Sequence, residues 1–433
     1  MVTREFLENV CNEIKYKPVR NNIAEELEMH ICDVKDEYII NGMEEKEAEE
    51  KAVFIMGNAK DIGKKLNKIH RPKFEWKILL IILIFVFIRI FLNVNQYIGR
   101  YSSWSINKDI FFIITSLLLG TIIYFCDYRK TKNISKIIYM IATGIIVLQW
   151  LNWHFNIDTT ISKMIHKIIG DEKRASSILN MNLWYLSIIL YVISFAGNLI
   201  KDKKVNLILM YSFSVVLIYL QSNSIANTII LIITYLCMFS FKSIKENKKN
   251  YKDMIIISII ILFVSISIML LLQCFIVDTV EKIYIENSEY QEEKYNTLNN
   301  LEMFGGNSEK YFTNTNSEFL QLLSTIGIVP SSIIVFFIII MSIVLVIDLK
   351  NIQDTYGRFL MIGIGTLYII QSVVHIFMNL NILPISNVNL PFLSNGNLFL
   401  LINTIGFATI MSVYRRKDIV FINQENKGEN ECI

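Results

Sequence analysis

Long apolar runs, with charge only at their ends, constrain this chain more than any other feature. Segments such as 135–152, 253–275 and 358–380 reach the roughly 18–20 residues needed to cross a bilayer. An α-helix satisfies its backbone groups internally, so it is the element such a run can adopt in hydrocarbon. A soluble chain of this length would divide into a few domains with polar and apolar faces in alternation. Here 53% of the residues are apolar, mean hydropathy is +0.43 and there are only five prolines. The predicted fold class is all-α: a polytopic membrane protein with about ten transmembrane helices and a small soluble helical domain before them. The spans predicted are 77–94, 109–127, 135–152, 183–200, 205–221, 226–241, 253–275, 318–347, 358–380 and 396–414. Net charge is +3, which gives no general argument for a nucleic-acid partner. The six cysteines lie apart without metal spacing and read as reduced thiols, with no disulfide framework.

Basic residues in the short loops set the expected orientation. Arg129, Lys130, Lys132 and Lys136 fall on one side with Lys201, Lys203 and Lys204, Lys242 to Lys252, Lys350, Arg358, and Arg415 to Lys417. An even number of spans puts both termini on that cytoplasmic side. The loop 277–317 then faces outward and is acidic. A second outer segment, 153–182, is basic, with Lys163, Lys167, Lys173 and Arg174. It suits either an anionic headgroup or pyrophosphate ligand, or a surface-lying amphipathic helix.

Residues 1–73 read as a separate cytoplasmic bundle, 74–417 as the membrane domain and 418–433 as a cytoplasmic tail. The polar N-terminus is not that of a cleavable signal peptide. Phe6, Val10, Ile14, Ile23, Leu27, Ile31, Val34, Ala48, Ala52, Ile55 and Met56 recur at helical spacing. Asn41-Gly42 and Gly57-Asn58 mark helix ends. The run from Glu25 to Leu66 resembles the HAAS (DUF1700-type) domain, which precedes membrane domains in Bacillota. That resemblance rests on Glu26, His30, Asp33, Gly42, Ala48, Met56, Gly57 and Ile62, and it implies a regulatory role. His30 and Asp33 alone do not make a metal site.

The stretch Gln371–Gly396, QSVVHIFMNLNILPISNVNLPFLSNG, breaks the apolar pattern. Polar and turn-forming residues occur at membrane depth where backbone lines a cavity or a water-facing rim. The segment NILPISNVNLPFLSNG resembles GLLPxTGLPLPFISYGG of the FtsW/RodA/SpoVE (SEDS) family of peptidoglycan polymerases. Pro384, Leu390, Pro391, Phe392, Ser394 and Gly396 fall in register without a gap. Ten spans with a long outer loop between the seventh and eighth also match that family's layout. The resemblance implies a multi-pass cell-membrane protein of a Gram-positive, Bacillota-like bacterium, serving division, shape or sporulation. It implies polymerisation of lipid II at the outer face. The implied partners are this lipid-linked precursor, membrane lipid, a class B penicillin-binding protein and division, elongation or sporulation complex proteins. Pro384, Pro391, Phe392, Ser394, Gly396, Gln371, Asn379 and His375 are the implied substrate-binding residues. No cofactor is implied, apart from a divalent cation if the centre is active.

That reaction needs a base for the attacking sugar hydroxyl and cationic stabilisation of the departing pyrophosphate. The family attributes the base to an aspartate in a motif like TDFIFAVIGEEFG. TNSEFLQLLSTIG places Asn316 on that aspartate, and an amide cannot accept a proton at neutral pH. Glu318 is the nearest carboxylate, but two residues along a helix is about 200° of rotation. It reads either as a substitute base or as the closing Glu of a Thr315-x-x-Glu318 capping box. Ser222–Thr228 and Leu179–Tyr185 lack the charges the family has there. His375 stands where the family has Asn and is expected to bond Gln371 one turn earlier. Arg89 is expected to snorkel outward. No phosphate-binding glycine loop, zinc spacing or nucleophile elbow is present. Three readings follow: an active glycosyltransferase, a SEDS-fold binder or scaffold that has lost the chemistry, and a transporter or flippase.

Overall fold

The computed structural model describes residues 2–97, 103–155, 183–202, 204–222, 224–246, 295–305, 318–383, 388–394 and 397–417. Among the described residues the ordered elements are helices, with no strand. They form two bodies, one of Met1–Phe74 with Ile352–Asp354 and the residues from Tyr414 on, the other of Glu75–Asn351 and Thr355–Val413.

The first body has four α-helices: α1 (Val2–Glu13), α2 (Arg20–Ile40), α3 (Glu45–Met56) and α4 (Ala59–Ile69), with a short 3-10 turn at Lys17–Val19. Phe6, Val10, Ile14, Val19, Ile23, Ile31, Ala52 and Val53 make its core. The helical period had pointed to Ile55, but Ile55 is 56% exposed and Val53 takes the inward place. α2 and α3 end ahead of Gly42 and Gly57, each at φ +88°, a conformation glycine adopts without a side-chain penalty. At the amino end, Glu49 Oε1 accepts from the Thr3 hydroxyl at 2.8 Å and the Thr3 N–H at 3.1 Å. Those bonds hold its carboxyl far below the usual carboxylate range, at about 2.

The second body carries α5 (Trp76–Tyr97), α6 (Ser103–Phe125), the short α7 (Arg129–Asn133), α8 (Ser135–Phe155), α9 (Trp184–Lys201), α10 (Lys204–Ser222) and α11 (Ile225–Glu246). After these come α12 (Glu318–Ile326), α13 (Ile328–Lys350), α14 (Thr355–Asn379) and α15 (Asn397–Arg415). Each predicted span falls on these helices except 253–275, which lies outside the described residues, as does most of the basic segment 153–182. In the most apolar window of α9, 78% of residues are buried, and in that of α14 67%, against 33% for α13. So α9 and α14 run through the interior, while α13, the most apolar of the described helices, turns most of its surface outward.

Polar side chains tie the interior helices together, as hydrocarbon offers them no other partner. Ser135 Oγ donates to Asn198 Oδ1 at 2.6 Å, and Asn198 Nδ2 donates to the Tyr211 hydroxyl at 3.0 Å, linking α8, α9 and α10. Phe195 stacks edge-on against Tyr211 and Phe239, with ring centroids at 4.4 and 4.9 Å. Gly363 lets α14 approach closely: a Cβ there would stand 2.6 Å from Val192 Cγ1.

The predicted eighth span, 318–347, is not one helix. It breaks at Gly327, which sits at φ +92°, ψ 176° between α12 and α13. Residues 302–305 fill the break. Gly305 N–H donates to Ile326 O at 3.0 Å, Ile328 N–H to Glu302 O at 3.0 Å and Val329 N–H to Met303 O at 3.1 Å. The apolar count could not show this break, because the run stays hydrophobic across it.

Candidate functional site

The second half of the signature loop, 388–394, passes between helices without forming one. Val388, Leu390, Phe392, Leu393 and Ser394 are each at most 2% exposed. Non-helical backbone at such depth must find donors for its carbonyls, and side chains from two helices supply them. On α14, Gln371 Nε2 donates to Asn389 O at 2.7 Å, and His375 Nδ1 lies 2.7 Å from Val388 O. From α5, Arg89 Nη1 donates to Ser394 O at 2.8 Å. Within the loop, Leu390 O accepts both the N–H and the hydroxyl of Ser394, at 3.0 and 2.9 Å. Gln371, His375 and Asn379 are spaced by four, so they share one face of α14, and all three are buried.

Phe392 holds a left-handed backbone at φ +64°, a conformation costing a non-glycine residue roughly 1–2 kcal/mol. Its ring offsets that cost by burial against Phe85 and Phe407, at centroid distances of 6.5 and 4.9 Å. Strain held by packing is typical of functional loops.

The most polar contact of the site joins α12 to α14. Glu318 Oε2 lies 3.8 Å from His375 Nε2, with the two side chains 1% and 0% exposed. A carboxylate and an imidazole so sealed off are costly unless paired. Asn379 completes the group, its Nδ2 3.1 Å from His375 Nε2 and 2.9 Å from His375 O.

Several expectations change. Arg89 does not snorkel: it is 3% exposed and spans from α5 to the loop. His375 bonds Val388 O and Asn379, while Gln371 turns to Asn389 O. Glu318 opens the described part of α12 and its carboxylate turns to His375, whereas Thr315, the other half of the expected capping box, lies outside the described residues. Loop residues 388–394 are enclosed by protein and do not form a water-facing rim. Pro391, Phe392 and Ser394 are buried there, whereas Asn316, Pro384 and Gly396 lie outside the described residues. The Glu318–His375 pair was not legible in sequence: 57 positions separate the two, and only the packing of α12 on α14 joins them.

The described helices have the fold of bacterial cell-shape proteins of the RodA type. The rod shape determining protein RodA of Thermus thermophilus superposes with a TM-score of 0.50 at 12% identity, over 79% of this chain and 97% of that one. A chain of a peptidoglycan synthase complex that coordinates polymerisation and crosslinking gives 0.55 at 14%, over 79% and 98%. At the level of sequence, residues 319–419 match the cell cycle protein family FtsW/RodA/SpoVE. A probable peptidoglycan glycosyltransferase FtsW of Trichlorobacter lovleyi is 38% identical over 61 residues. That match covers 14% of this chain and spans only 16% of the relative's length. The matched segment holds most of α12, then α13, α14, the loop and α15, so it takes in Gln371, His375, Asn379 and the loop but not Arg89 or Glu318.

Proposed function

We propose that this chain is a membrane protein of peptidoglycan synthesis that handles lipid II at the outer membrane face and builds glycan strands from it. The observation that carries this reading is the signature loop, held buried by Arg89, Gln371 and His375 in a protein of RodA fold. Such a scaffold fixes Val388, Asn389 and Ser394 of the loop in place, as a precursor site requires. In this reading both termini are cytoplasmic, and the first body is a HAAS-like regulatory module. The partners are a class B penicillin-binding protein and the division, elongation or sporulation machinery.

A second reading is favoured by one residue. Asn316 stands where the family's aspartate is expected, and its amide cannot take the proton from the attacking hydroxyl. The same fold would then bind the lipid-linked precursor, or scaffold a synthase, without polymerising.

Purified protein with fluorescent lipid II, with and without a class B penicillin-binding protein, separates the two. Glycan ladders from wild type, and none from Glu318→Ala protein that still folds and binds lipid II, support polymerisation with Glu318 as the acting carboxylate. Absence of ladders even from Asn316→Asp, with lipid II still bound, supports the binding reading. Absence of both ladders and lipid II binding removes the proposal altogether.

A further inference from the structure

Charge on the first body is segregated. Residues 2–58 carry fourteen acidic and seven basic side chains, whereas 59–73 carry six basic and one acidic, Asp61. That basic segment is α4 and the stretch leading to the first membrane helix. Packing fixes which way α4 faces. Ala59, Ile62 and Leu66 lie on the core, and Gly63 sits so close to α1 that a Cβ would meet Val10 O at 2.8 Å. Lys60, Lys64 and Lys68 repeat every four residues and so form a stripe on the opposite face. With Lys65 and Arg71 they are exposed.

Pairing separates these residues from three of the seven basic side chains in 2–58. Arg4 meets Glu8 at 3.4 Å, Lys35 meets Glu45 at 2.7 Å and Lys51 meets Glu47 at 3.8 Å. Among the described residues, Lys60, Lys64, Lys65, Lys68 and Arg71 make no ion pair. Six residues separate Ile69 from Trp76, where the apolar helix begins. Ile69 is 55% exposed and Trp76 71%. Aromatic and aliphatic side chains flanking a basic cluster suit the headgroup zone.

We propose that the Lys60, Lys64 and Lys68 face of α4, with Lys65 and Arg71, binds the phosphates of anionic phospholipid headgroups. A basic cluster immediately before a membrane helix attracts anionic lipid, each Lys or Arg strengthening the association about fivefold. The acidic remainder of the body is repelled by the same surface, so the charge segregation orients the body as well as attaching it. The proposal does not depend on the precursor chemistry.

The test is lysine acetylation of the full chain in nanodiscs of phosphatidylcholine alone or enriched in phosphatidylglycerol, read by mass spectrometry. Lys60, Lys64 and Lys68 should react about fivefold more slowly in the anionic discs, and high salt should abolish the difference. Lys46 and Lys51, exposed on α3, should react alike in both. In K60E/K64E/K68E, Lys65 should lose its protection. Equal rates at the stripe in the two discs would overturn the proposal. So would slowing at Lys46 and Lys51 to the same degree, or protection that survives high salt.

Discussion

Replacing Glu318 and His375 singly and together tests whether the buried pair fastens α12 to α14. At 3.8 Å two unit charges attract by about 4 kcal/mol at an effective dielectric near 20. Desolvation of both groups cancels part of that gain, and removing one partner leaves the other buried without its counterpart. Loss of one member of such a pair costs about 3–5 kcal/mol. Glu318→Gln and His375→Asn are each expected to destabilise by about 3 kcal/mol, because both groups are at most 1% exposed. The double variant should lose less than the sum by at least about 1.5 kcal/mol, the size of coupling typical of contacting residues. Equilibrium unfolding of the four proteins in one detergent measures this directly. Losses that add to within about 0.5 kcal/mol would refute the pairing.

Gly327→Ala should destabilise by about 3 kcal/mol or more: roughly 1–3 for the disallowed backbone, plus the shift needed where a Cβ meets Met303 O at 2.8 Å. Gly144→Ala, whose Cβ meets nothing within 4 Å, is the control; melting curves should show it unchanged or slightly stabilised. Arg89→Met leaves the buried Ser394 carbonyl without this donor and should cost about 1–3 kcal/mol. Arg89→Lys should recover part of the loss, and equal melting of all three proteins would remove Arg89 from the loop's support. Glu49 gives a pH prediction with a definite sign. Its folded pKa is depressed to about 2, so its contribution is present above the ordinary carboxylate range and is lost as pH falls through about 2. An NMR titration of Glu49 should show that low midpoint, and Thr3→Val should return it toward about 4.3. A normal midpoint in wild type would mean that the Thr3 bonds do not form.

Helix positions were legible in sequence where periodicity or composition decides them. Gly42 and Gly57 marked the ends of α2 and α3, and the apolar runs located the membrane helices. The choice of Ile55 over Val53 failed because adjacent apolar residues lie only 100° apart and tertiary packing chooses between them. The break at Gly327 was hidden because hydrophobicity reports burial in lipid and not backbone path. Arg89 was misread for a related reason. Snorkelling is what an isolated helix would do with it, whereas here the loop 305 positions away supplies a carbonyl acceptor. The motif residues Gln371, His375 and Asn379 were found by resemblance. Their roles came only from the fold, which turns Gln371 and His375 onto loop carbonyls and Asn379 onto His375.

Native mass spectrometry of the purified chain with lipid II tests the central claim most directly, that the buried loop belongs to a lipid-linked precursor site. Wild type should retain lipid II, and Gln371→Leu, which removes the donor to Asn389 O, should weaken retention about tenfold or more. Ser332→Ala, an exposed change on α13, should leave it intact. Lipid II bound no better than undecaprenyl phosphate, or retained equally by Gln371→Leu, would contradict the account.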